Sequence, residues 1–81
     1  MTRETVYVRL NEVFRDVFDD DSITVNDATT ADDIEDWDSL MHINLVSAVE
    51  DEFDTHFEMK DILELKNVGD FVDLIIRETD E

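Results

Sequence analysis

Asp38-Ser39-Leu40-Met41-His42-Ile43-Asn44-Leu45-Val46-Ser47-Ala48-Val49-Glu50-Asp51-Glu52-Phe53-Asp54 is the stretch on which the fold turns. Leu40, Ile43, Val46, Ala48, Val49 and Phe53 recur at spacings of three and four, the signature of a helix with a broad apolar stripe. Glu50, Asp51 and Glu52 close it with charge. Ser39 stands where a helix cap belongs: a serine hydroxyl there accepts a backbone N–H that would otherwise lack a partner. A single amphipathic helix cannot bury its own stripe, so others must cover it.

Working outward, Val6, Leu10, Val13, Phe14, Val17 and Phe18 trace one face of a first helix over about residues 3–18, capped by Thr2 or Thr5. Arg3, Arg9, Asn11, Glu12, Arg15 and Asp16 fall mostly off that face. Asp19-Asp20-Asp21 ends the helix. From there to Asp38 the pattern is irregular, with Ile23, Val25, Ala28, Ala31, Ile34 and Trp37 spaced among polar residues. These apolar residues predict an ordered loop pinned to the core. Ile23 and Val25 could form a short strand, but nothing pairs with them. Downstream, Met59 to Leu65 reads as a short helical piece carrying Ile62 and Leu65. Asn67 caps a last helix, with Asp70 three residues on as in a capping box. Its buried face is Val68, Phe71, Val72, Ile75 and Ile76, with Gly69 allowing close packing, and residues 79–81 should fray. The expected fold is all-α: one domain over residues 1–81, a small four-helix bundle of three longer helices and one short, with a long ordered loop after the first.

Composition agrees. The 81 residues include one Gly and no Pro, which disfavours strand-and-turn architectures. Acidic residues number 24 against 6 basic ones, for a net charge of −18. Such a surface repels phosphate backbones and anionic headgroups, so no nucleic-acid or membrane partner is expected, and natural partners should be basic. The absence of cysteine removes disulfide scaffolds, zinc–thiolate sites and catalytic thiols. Met1-Thr2-Arg3-Glu4 has no signal-peptide character, and a cytoplasmic location fits. A hydrophobic content of 42% separates the chain from disordered acidic tails.

The chemistry centres on Ser39 within Asp36-Trp37-Asp38-Ser39-Leu40. The hydroxyl either caps the helix or carries a covalent group, and a helix N-terminus suits an attached phosphate. Asp38-Ser39-Leu40, followed by Ile43, Leu45-Val46, Val49, Glu50-Asp51-Glu52-Phe53-Asp54 and later Val68-Gly69-Asp70, resembles the core of the acyl carrier protein family. With the first helix and the loop, the resemblance spans nearly the whole chain.

That resemblance implies that Ser39, flanked by Asp38 and Leu40, takes 4′-phosphopantetheine from coenzyme A through a phosphopantetheinyl transferase. The arm's thiol would carry acyl groups as thioesters to acyl-loading, acyl-transfer or synthase enzymes of fatty-acid, polyketide or related pathways. The carrier itself would catalyse nothing and act as a monomer. Asp38, Met41, Asn44, Glu50 and Asp51 would dock basic patches on partners. Val46, Val49, Phe57, Ile62, Leu65 and Phe71 would line an acyl pocket. Asp36 and Trp37 replace residues that are usually small in the family, and Met41 and Asn44 replace frequent acids, which suggests a freestanding carrier of a dedicated pathway. Phe71 replaces a frequent Ala, which suggests a narrowed cavity for a short or polar acyl group. Trp37 reads first as a loop anchor and His42 as a surface or partner-facing residue.

Three other classes fit less well. Ser39 and His42 lie one helical turn apart, but a hydrolase lacks its nucleophile elbow and oxyanion hole here. The Asp19–Thr30 stretch lacks the central Gly and closing Glu of a calcium loop. An acidic interaction or inhibitor module, with Ser39 only a cap, is the runner-up.

Overall fold

The structure, a computed structural model, describes residues 2–79. Four helices follow in order: α1 Arg3–Phe18, α2 Ser39–Phe53, α3 Met59–Leu63 and α4 Val68–Thr79. A single 3-10 turn, Ala31–Asp33, interrupts the long loop, and no strand occurs among the described residues. The fraying expected at Asp80 and Glu81 lies outside the described residues. α1 packs chiefly on α2 and then on α4. Val6, Leu10 and Phe14 of α1, Leu45 and Val49 of α2, and Phe71, Val72 and Ile75 of α4 are buried in one hydrophobic cluster.

Local chemistry explains the helix boundaries. The Thr2 hydroxyl accepts the Thr5 N–H at 3.1 Å and starts α1. Asp19 and Asp54, both at φ 51°, end α1 and α2 in the left-handed conformation. Asp tolerates that region better than most residues, and the one Gly is needed elsewhere. At α4 the Asn67 side chain accepts the Asp70 N–H at 2.8 Å. The return bond differs from the expected box: the Asp70 carboxylate accepts the Lys66 N–H at 3.2 Å, one residue beyond Asn67.

Two stripes are placed differently from the sequence reading. On α2 the buried residues are Leu45, Val46, Val49 and Phe53, while Leu40 and Ile43 are 69% and 60% exposed. Of the other helices only α1 packs broadly on α2, and Leu40 and Ile43 lie outside the cover it provides. On α4, Leu74 is buried and Ile76 only partly so.

The loop is ordered by α1's polar side. Asn11 accepts the Val25 N–H at 2.7 Å and donates to the Tyr7 carbonyl at 2.9 Å. Arg15 donates to the Ile23 carbonyl at 2.7 Å. Val25 is buried, Ile23, Ile34 and Trp37 pack half-buried on the core, and Ala28 and Ala31 stay exposed. At the other end the loop caps α4: the Val68 N–H donates to the Thr29 carbonyl at 2.8 Å and the Gly69 N–H to the Asp27 carbonyl at 3.1 Å. These acceptors satisfy amides that a helix start otherwise leaves unpaired. Arg3 clamps the same corner, donating to Asp27 and Asp73, while the Tyr7 hydroxyl also donates to Asp27.

Candidate functional site

Ser39 is the first residue of α2 rather than its cap. The cap is Asp38, whose carboxylate accepts the Met41 N–H at 2.9 Å while its carbonyl accepts the His42 N–H at 2.8 Å. This corrects the reading of Ser39 as the capping hydroxyl. An aspartate in the preceding position already fills the role, because its side chain reaches the third helical amide. The Ser39 hydroxyl is exposed and makes no hydrogen bond among the described residues. It is therefore free to react.

Trp37 is fixed against the core two residues before Ser39. Its ring packs edge-on to Phe14, with centroids 5.3 Å apart, and tilted against Phe18 at 6.2 Å. Its indole N–H donates to His42 Nδ1 at 3.1 Å, and the two rings stack at 5.9 Å. Trp37 is thus a loop anchor, as expected. His42 differs from the surface residue expected: it is half-buried, and its Nδ1 is taken by Trp37. No group of three or more potential metal ligands is present among the described residues.

The residues expected to form the acyl pocket do not enclose one space. Phe57 and Phe71 meet edge to face, centroids 5.9 Å apart, and both are fully buried. Ile62, Leu65 and Phe71 face a cavity of about 350 Å³ that Ser39 also lines. Val46, Phe57 and Ile62 face a separate groove of about 430 Å³ between α2 and α3. Val49 lies in the core and lines neither. Phe71 lines the first hollow and Phe57 the second, and Ile62 borders both.

The expected docking residues also divide. Asn44 and Asp51 lie on α2's exposed face, and Asp38 is exposed at its start. Met41 does not: it packs half-buried against the core. Nor is Glu50 free. Its carboxylate accepts the Phe57 N–H at 2.8 Å and meets His56 Nδ1 at 2.8 Å, holding the loop into α3. The sequence reading missed exposed Leu40 and Ile43 as surface residues, because it placed both in the core stripe.

The family model described as "Phosphopantetheine attachment site" matches residues 8–75. The chain belongs to this family. A solved structure agrees: the holo acyl carrier protein from Geobacter metallireducens, determined in solution, is 42% identical. The likeness covers 90% of this chain and 84% of that one, with a TM-score of 0.85. No curated protein sequence matches the chain. It is an acyl carrier protein, a non-catalytic bearer of a covalently held 4′-phosphopantetheine arm. The start of the carrier's α2 suits such a group. It offers an unengaged hydroxyl, and the amides of Ser39 and Leu40 have no internal acceptor in the first turn of a helix. No helix among the described residues is long and apolar enough to cross a membrane.

Proposed function

We propose that Ser39 is the attachment point and that the loaded carrier delivers acyl intermediates, as thioesters, to enzymes of fatty-acid, polyketide or related specialised biosynthesis. The observation that carries this reading is the division of labour at the start of α2: Asp38 caps the helix, leaving the Ser39 hydroxyl exposed and unbonded. In the attachment step that hydroxyl gives up its proton and forms a phosphodiester bond. The pyrophosphate bond of coenzyme A breaks, and adenosine 3′,5′-bisphosphate leaves. Asp38 and Leu40 fix the serine, one by the cap and the other as the exposed neighbour a transferase would grip. The arm supplies the thiol that the chain lacks. Tethering raises the cargo's effective concentration at each partner. A cytoplasmic location, where coenzyme A is available as donor, fits this reading.

Partner enzymes would dock on the exposed α2 face. Leu40 and Ile43 offer apolar area there, with Asn44, Asp51 and Asp38 around them. At −18 net charge, the carrier steers basic patches toward itself, raising association rates in a salt-dependent way. The carrier works as a monomer. Its cargo is short or polar, since the paired Phe57 and Phe71 close the interior behind the Ser39 cavity. A long acyl chain sequestered from solvent in the loaded carrier would refute that restriction.

Intact mass spectrometry tests the attachment. Incubation with coenzyme A and a broad-specificity phosphopantetheinyl transferase should add one phosphopantetheine to the wild type and none to Ser39→Ala. No gain on the folded, initially unmodified protein, with a control carrier reacting alongside, would overturn the assignment.

A further inference from the structure

The six basic residues of this acidic chain are unevenly committed. Arg3, Arg9, Lys60 and Arg77 each hold a carboxylate. Arg15 spends its guanidinium on Ile23 and Thr24. Among the described residues, Lys66 alone has neither kind of partner for its ammonium group. In a chain with 24 acidic residues a lysine without a carboxylate is unexpected. It lines the same cavity of about 350 Å³ as Ser39, and so does His42. His42 sits one helical turn after Ser39, on the same side of α2. Because Trp37 donates to Nδ1, neutral His42 carries its proton on Nε2, leaving that N–H as a donor.

We propose that His42 and Lys66 form an anion subsite that receives the phosphodiester created on Ser39. The inference rests on attachment at Ser39. Ser39, His42 and Lys66 line one hollow, and the arm brings a permanent negative charge to its edge. The Lys66 charge and the His42 N–H would offset the like-charge neighbour Asp38. The charged groups that line the hollow with His42 are Asp38, the cap of α2, and Lys66 from the segment before α4, whose backbone N–H donates to Asp70.

³¹P NMR of the holo carrier tests the subsite, because the phosphodiester resonance reports the groups around it. His42→Gln and Lys66→Gln should each displace that resonance from its wild-type position, and His56→Gln should leave it unmoved. A resonance unmoved in either His42→Gln or Lys66→Gln would overturn the subsite. Failure of attachment at Ser39 is a separate outcome, since the mass gain would be missing before any spectrum.

Discussion

Replacing Gly69 with alanine adds one methyl group, and two opposed effects compete. Helix propensity favours alanine by about 1 kcal/mol in a helix interior, and by less in the first turn, where Gly69 sits. Against this, the new Cβ would lie 2.9 Å from the Asp27 carbonyl oxygen, 3.1 Å from Asp27 Cβ and 3.2 Å from Asn67 Oδ1. Nonbonded carbon contacts settle at about 3.5–4.0 Å, so the Asp27 backbone would have to withdraw by roughly 0.5 Å. That displacement stretches the 3.1 Å bond from Gly69 N–H beyond hydrogen-bonding distance. A buried amide left without its acceptor costs about 1–3 kcal/mol. Asp27 cannot move freely, because Arg3 and Tyr7 hold its carboxylate. The cost exceeds the gain, and with the gain subtracted Gly69→Ala should destabilise the fold by about 0.5–2.5 kcal/mol. For a domain of this size the midpoint should fall by roughly 2–20 °C, read as helical circular dichroism on heating. An unchanged or higher midpoint would refute the argument, showing that the loop yields at no cost.

The same corner supplies a pH test. Tyr7, the one tyrosine, is pushed up to about 12 by partial burial and by its hydrogen bond to Asp27. The folded state then keeps a proton that the unfolded chain loses near its ordinary value of about 10. This contribution to stability is intact below about pH 10 and lost as pH rises toward 12. Phenolate absorbance should report the delayed ionisation, and Asp27→Asn should bring it forward. Asp27 itself is held below the usual carboxylate range by the Tyr7 hydroxyl and the Arg3 guanidinium, so its contribution is present above the ordinary aspartate value and fades on acidification. An acid titration of stability should be shallower in Asp27→Asn. Asp38→Ala should cost about 1 kcal/mol in urea unfolding, while Ser39→Ala should be close to neutral, because the cap belongs to Asp38. Phe71→Ala should cost about 3–5 kcal/mol by the same measurement, since its ring is buried against Phe57.

The number, order and limits of the helices were legible in the sequence, because amphipathic spacing and caps are local properties. α1 ends where Asp19 breaks the pattern, and α4 begins just after Asn67. The candidate attachment serine was legible too, through the residues around it. Whether its hydroxyl or a neighbour caps the helix was not. Asp38 and Ser39 are both good caps, and only the backbone geometry decides which of two adjacent residues lies outside the first turn.

What the sequence determined by itself was therefore one-dimensional: helical periodicity, an acidic surface, no thiol, and a serine at the start of the second helix. Tertiary structure decided the rest. It turned Leu40 and Ile43 outward, because apolar spacing marks a stripe but not how far a neighbouring helix covers it. It committed Glu50 to the Phe57 amide and Asn11 to the Val25 amide, bonds that no local pattern announces. It distributed the expected pocket residues over two hollows and paired Phe57 with Phe71, and it brought Lys66 and His42 to the hollow beside Ser39. Each of these depends on distances that the spacing of residues along a helix does not set. Such distances are fixed only when the helices pack and their side chains compete for the same space.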